Sequence, residues 1–140
     1  MNLIDWYRGN ELPFASLLGI ELSSAEPELL TGAMTVLPQL CTAGGVAHGG
    51  AIVAFADTLG ALATLSHLPE GCTTSTLETA THFVAAAPVH TRLLGSAQLV
   101  HRGRSSMIWQ TRVTTEQGRL VALTTQTQGI RSPPGRMDGV

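Results

Sequence analysis

Residues 49–67 constrain this chain more than any other stretch, because they read as one helix that is apolar almost all the way round. Ile52, Val53, Phe55, Leu59, Leu62 and Leu65 fall on several faces at the helical period, and Ala51, Ala54, Ala56, Gly60, Ala61 and Ala63 fill the rest. Within residues 51–65, eleven of fifteen are apolar, but Asp57 interrupts them. The run is also shorter than the roughly 20 residues a membrane span requires. A helix without a polar face must therefore be surrounded by protein.

The flanking sequence supplies the wrapping. Residues 19–25 and 28–37 alternate in polarity around Glu26-Pro27 and predict two antiparallel strands, ended by Pro38 and followed by a loop over 39–47. Beyond Leu68-Pro69-Glu70-Gly71 the period changes. Alternating, β-branched runs at 73–85, 91–101, 107–115 and 119–129 predict four successive strands, read here as an antiparallel meander. Arg102-Gly103-Arg104-Ser105 joins the second and third of these, and Glu116-Gln117-Gly118 the third and fourth. The first 18 residues predict short amphipathic helical turns that form a strap, and residues 131–140, with Pro133-Pro134-Gly135, a loose tail outside a single domain of 1–130. The stable solution is an α+β layer in which the sheet wraps the helix. One curved sheet leaves part of the helix uncovered and its own edges open, so a homodimer completes the fold economically.

Composition excludes several function classes. Of 140 residues only 13% are charged, against about 25% in an average soluble domain, which argues against a disordered chain. The formal charge is −2 with no basic run, so no nucleic acid partner is expected. Every basic residue is arginine, which removes Schiff-base and lysine-base chemistry. Cys41 and Cys72 form no CxxC, and the N-terminus carries Asp5 where a secretory signal needs a positive charge. A cytoplasmic protein without membrane anchorage is the expectation.

Asp57 is the only charged residue between His48 and Glu70. Ionising a carboxyl in a dry interior costs several kcal/mol unless partners compensate. It either accepts hydrogen bonds from an amide or an arginine across a subunit contact, or it does chemistry. His48-Gly49-Gly50, at the predicted helix start, bears on that choice. Two glycines there allow close approach to backbone N–H groups that lack intrahelical partners, at the end of the helix dipole that favours negative charge. The plainer alternative is a tight turn capped by His48. An oxyanion-friendly helix start with an acid nine residues on suggests acyl transfer.

The run His48-Gly49-Gly50-Ala51-Ile52-Val53-Ala54-Phe55-Ala56-Asp57-Thr58 resembles the helix motif of the PaaI-like branch of the hotdog-fold acyl-CoA thioesterases. Thr76-Leu77-Glu78 with His82-Phe83-Val84 is similar to that family's strand after the helix, Arg102-Gly103-Arg104 to its turn near coenzyme A, and residues 116–122 to its closing hairpin, so the resemblance covers roughly residues 35–128. It implies a hotdog fold, an antiparallel sheet of five or six strands around a long central helix, assembled as a homodimer or homotetramer with active sites at the dimer interface. It also implies that the Gly49 amide, with Gly50 beside it, polarises the thioester carbonyl, that the partner subunit's Asp57 acts as nucleophile or general base, and that His48 positions the thioester. The loop position six before the histidine, commonly Asn or Gln in the family, is Thr42 here. A water-orienting hydroxyl falls on Ser75 by distance from Asp57 and on Thr76 by strand alignment.

Arg102 and Arg104, with Gly103 and Ser105, either offer two cations to coenzyme A phosphates or form a solvated hairpin. No GxSxG nucleophile elbow occurs, and His82, His90 and His101 lack the spacing of a metal site. Trp109 reads as core. Small residues at Ala54, Ala61 and Ala86 leave room for an aryl or medium-chain acyl group. The reading is an acyl-CoA thioesterase that needs no metal or other cofactor, coenzyme A being part of the substrate. The alternative is a non-catalytic acyl-CoA-binding or regulatory hotdog protein, which would gain nothing from an acid beside the thioester.

Overall fold

The computed structural model describes residues 1–134. Residues 135–140 of the expected tail lie outside the described residues, and Arg131, expected to begin that tail, is instead the last residue of a strand. Helices α1 (Leu3–Gly9) and α2 (Pro13–Leu18) lead into the hairpin of β1 (Glu21–Glu26) and β2 (Leu29–Thr35). The segment expected to be a plain loop holds a 3₁₀ turn, Pro38–Leu40, and a small hairpin of β3 (Cys41–Thr42) with β4 (Val46–Ala47). Helix α3 (Gly49–Leu65) follows, then β5 (Thr73–Phe83), β6 (Arg92–Arg102), β7 (Ser106–Thr115) and β8 (Leu120–Arg131).

Six strands form one antiparallel sheet in the order β1-β2-β6-β7-β8-β5, and α3 packs against it, which is the hotdog architecture. Strands β6, β7 and β8 do form a meander. The expected four-strand meander fails at β5, which pairs with β8 at the far edge and not with β6. The free edge of β2 is taken by β6 through Leu30↔Ala97, Gly32↔Gly95 and Met34↔Leu93. The strand that follows the helix must therefore close the wrap from the opposite side. Residues 84–91 then carry the chain back, tied down by Ala47 N–H donating to Ala87 O at 2.8 Å and His90 N–H to Val36 O at 2.7 Å.

The core lies between α3 and the sheet. Phe55 and Leu59 are fully buried and sit so close to the sheet that a Cβ on Gly95 would lie 2.4 Å from Leu59 Cδ1 and 2.8 Å from Phe55 Cζ. Only a residue without a side chain admits that approach. Trp109 is core, as expected; its indole N–H donates to Thr64 Oγ1 at 2.9 Å, and that hydroxyl donates to Gly60 O at 2.9 Å, so the buried polar atoms are paired. The N-terminal strap packs α1 on β1 and α2 on α3. Tyr7 hydroxyl donates to Ile20 O at 2.6 Å, and burial pushes the phenol pKa above its ordinary value.

The wrap is incomplete. Val53, Ala54, Asp57, Thr58, Ala61 and Leu65 are only half-buried, and their spacing places them along one side of α3. Beside them β5 is an edge strand of the sheet, with Leu77 and Phe83 exposed. Among the described residues no helix is long and apolar enough to cross a membrane.

Candidate active site

Asp57 sits on the uncovered stripe of α3 and is held through one oxygen. Thr76 Oγ1 donates to Asp57 Oδ1 at 2.6 Å and Gln126 Nε2 donates to the same oxygen at 3.2 Å, also reaching the Asp57 carbonyl at 3.3 Å. Oδ2 has no hydrogen-bond partner among the described residues. Two donors to a charged acceptor compensate its desolvation, which answers how an acid is tolerated in this helix. Among the described residues no arginine takes part.

Of the two candidate hydroxyls, the fold brings only Thr76 to Asp57. Ser75 lies on the opposite side of β5, where its Oγ accepts from Arg131 Nε at 2.9 Å. A β-bulge decides the matter. The register jumps between Thr76↔Gln128 and Glu78↔Thr127, leaving Leu77 as the extra residue. Thr81 faces the helix, bonded to buried Thr124 at 2.8 Å, and simple alternation back from it would turn Ser75 inward. The extra residue reverses that parity and turns Thr76 inward instead.

At the start of α3, His48 is the N-cap, and its Nδ1 accepts from Gly50 N–H at 2.7 Å. A Cβ at position 50 would lie 2.9 Å from that nitrogen, so the glycine makes room for the cap. The Gly50 amide, expected beside Gly49 in the oxyanion site, is thereby occupied. Gly49 N–H has no partner among the described residues and is the donor left free at this end of the helix.

Gly49 opens onto a groove of about 380 Å³ lined by Ala47, Ile52, Phe83, Val84 and Ala85 to Ala87. The Phe83 ring stands over the glycine, 3.2 Å from where a Cβ would be. Of the small residues expected to shape an acyl pocket, Ala86 lines this groove, whereas Ala54 and Ala61 lie on the half-buried stripe of α3. Thr42 is exposed in β3 of the small hairpin. Arg102, Arg104 and Ser105 are exposed at the β6–β7 turn, which Gly103 N–H closes onto Ser106 O at 2.8 Å. Neither arginine makes an ion pair among the described residues. Cross-strand pairing runs Thr76↔Gln128, Gln128↔Met107 and Met107↔Arg102, which places Arg102 three strands, or about 14 Å, from Thr76. No group of three His, Cys, Asp or Glu side chains that could hold a metal ion occurs among the described residues.

Gln126 and Gln128 were not legible as site residues. The segment Thr124-Thr125-Gln126-Thr127-Gln128 is polar at every position and advertises no inner face, yet Thr124, Gln126 and Gln128 are buried. The usable signal is parity: counting by twos from Ala122, an apolar core position, selects these three.

Comparison with known proteins bears on the family and the fold. The proofreading thioesterase EntH of Cronobacter turicensis is 36% identical over 103 residues, covering 73% of this chain and 74% of that one. The crystal structure of thioesterase HI1161 from Haemophilus influenzae superposes with a TM-score of 0.88 at 26% identity, covering 97% of this chain and 94% of the other. A thioesterase protein from Streptococcus pneumoniae, solved with coenzyme A, shares the fold with a TM-score of 0.74 at 22% identity, covering 81% and 87% of the two chains. The family model of the thioesterase superfamily matches residues 44–122, from the loop before His48 to the start of β8. This chain thus belongs to the thioesterase superfamily and is a thioester hydrolase built on the hotdog fold.

Proposed function

We propose that the chain hydrolyses an aryl- or medium-chain acyl-CoA to the free acid and coenzyme A in a site shared by two subunits. The observation that carries this reading is the separation of the two chemical groups. Gly49 and Asp57 are eight residues apart on one straight helix, hence about 12 Å apart along its axis, too far to act on the same carbonyl. A second copy packed on the half-buried stripe of α3 and on the β5 edge supplies the missing group to each site. Exposed Leu77 and Phe83 on that edge favour such pairing.

In the shared site the Gly49 N–H receives the thioester oxygen and stabilises the negative charge that develops as the carbonyl carbon becomes tetrahedral. The partner subunit's Asp57 acts through Oδ2. As general base it takes a proton from water while the water oxygen bonds to the carbonyl carbon. As nucleophile it bonds to that carbon itself, and water then cleaves the anhydride. Either way the C–S bond breaks, coenzyme A leaves as the thiolate and is protonated at the expense of the water consumed, and no co-reactant beyond water enters. Thr76 steers the carboxylate or the water with its hydroxyl. His48 shapes the site indirectly by fixing the turn that presents Gly49.

The acyl group enters the groove beside Gly49, whose 380 Å³ and alanine lining suit a compact aryl or medium-length chain. Arg102 and Arg104 supply cations for the coenzyme A phosphates from the turn that Gly103 and Ser105 complete, and exposed Thr42 offers its hydroxyl to the substrate. Coenzyme A bound to the Streptococcus pneumoniae relative supports this choice of leaving group. Two free cysteines fit a reducing cytoplasm. The test is a hydrolysis screen over aryl, short-, medium- and long-chain acyl-CoAs, read as thiol release. The highest kcat/KM is expected for aryl or medium-chain substrates, and a maximum at long chains would refute the pocket assignment.

A further inference from the structure

The anchoring of Asp57 extends beyond Thr76 into two fully buried amides, and this goes further than the reaction outlined above while resting on its assignment of Asp57. Gln126 and Gln128 are 1% and 0% exposed, project from β8 toward α3, and are hydrogen-bonded to each other, Gln126 Nε2 donating to Gln128 Oε1 at 2.9 Å. Gln128 Nε2 donates to Thr74 Oγ1 at 3.1 Å, and that hydroxyl donates to Gly129 O at 2.8 Å. The chain of groups thus runs from the sheet backbone to the Asp57 carboxylate without a break.

The orientation of Gln126 is informative. Its Nε2 faces Asp57 and Gln128, whereas its Oε1 is buried with no partner among the described residues. Leaving an amide oxygen unpaired in the interior is unfavourable. Turning the amide over would be worse, because it would set Oε1 against the carboxylate oxygen and the Asp57 carbonyl. The amide is therefore held by the acid it serves. The helix also makes room for it: a Cβ on Gly60 would lie 2.2 Å from Gln126 Oε1 and 2.6 Å from Nε2.

Thr76 completes the arrangement. Its single proton can go to Asp57 Oδ1 or to Gln128 Oε1, each 2.6 Å away. An ionised carboxylate is the stronger acceptor and takes it. Once the carboxyl has taken up a proton, the hydroxyl has a second acceptor in Gln128.

We propose that Gln126 and Gln128 are positioning residues that clamp Asp57 through Oδ1, so that Oδ2 is the oxygen left to meet water or the thioester carbon. The experiment compares Gln126→Leu, which fills the site without an amide, and Gly60→Ala, which keeps every hydrogen-bonding group but displaces the Gln126 side chain. Both are assayed on the best acyl-CoA, alone and combined with Asp57→Asn, with melting temperature and oligomer mass measured in parallel. Each single variant should lose about tenfold to a hundredfold in kcat with KM changed less than about threefold, as for an interaction that matters in the transition state. On the Asp57→Asn background either change should cost less than about twofold, because the group being positioned is gone. A folded variant with kcat within twofold of wild type overturns the proposal, as does an undiminished loss on the Asp57→Asn background. If Gln126→Leu does not fold, Gly60→Ala decides by the same criteria. Full activity in Asp57→Asn alone would instead overturn the role given to Asp57, so the two failures are distinguishable.

Discussion

Replacing Asp57 by Asn isolates charge from packing at the centre of the site. The Asn carbonyl oxygen can occupy the Oδ1 position and keep the donors from Thr76 at 2.6 Å and Gln126 at 3.2 Å, while the new NH₂ takes the unpartnered Oδ2 position. Two hydrogen bonds to a charged acceptor, about 1.5–3 kcal/mol each, become neutral ones of about 0.5–1.5 kcal/mol. That loss is offset by no longer having to desolvate a carboxylate on the half-buried stripe. Stability should therefore change by no more than about 1–2 kcal/mol, the size of an ordinary point substitution. Catalysis should not be spared. A positioned acid–base group contributes about 10²–10⁴ in rate, or about 2.7–5.4 kcal/mol of barrier, and a nucleophile at least as much. The assay is thiol release under saturating acyl-CoA, with kcat and KM separated and the oligomer checked by light scattering. An intact Asn variant that hydrolyses its best substrate at the wild-type rate would falsify the reasoning and leave the carboxylate a structural acceptor.

Thr76→Val should lower kcat about tenfold to a hundredfold by removing the hydroxyl from Asp57, whereas Ser75→Ala should leave kcat within twofold; the opposite ranking in steady-state kinetics would refute the bulge-based assignment. Light scattering should return twice or four times 14.7 kDa at micromolar concentration, and a monomeric mass with full activity would rule out the shared site. Changing Arg102 and Arg104 together to Ala should raise KM for acyl-CoA with little effect on kcat, since the contacts are uniform binding; an unchanged KM would make the turn an ordinary solvated hairpin. Gly95→Ala should destabilise the protein by about 1–3 kcal/mol in denaturant unfolding, because its Cβ would press on Leu59 and Phe55 at 2.4 and 2.8 Å, and an unchanged midpoint would show that α3 can shift freely.

Much of this protein is legible in its sequence because the signals are local and periodic. An apolar helix without a polar face dictates wrapping, a lone acid within it marks the candidate site, and alternating runs place the strands to within a few residues. The His48-Gly49-Gly50 turn announces a helix start with free amides. Which amide stays free is another matter: His48 Nδ1 claims Gly50, and that depends on the turn placing the imidazole 2.7 Å from its N–H.

Three features were decided by tertiary structure alone. Strand β5 joins β8 because β2 had already claimed β6, and alternation within a strand carries no record of its neighbour. Gln126 and Gln128 turn inward within a run that is polar on both faces; adjacent Val121 and Ala122 are both buried, so parity from Ala122 selects the two amides only once packing against α3 has fixed which face of β8 is inner. The single extra residue at Leu77 reverses the parity of β5 and sets Thr76, not Ser75, against Asp57. Side-chain direction in a strand has a period of two, so one inserted residue swaps the faces, and whether it is inserted depends on the register with β8 rather than on any residue of β5 itself.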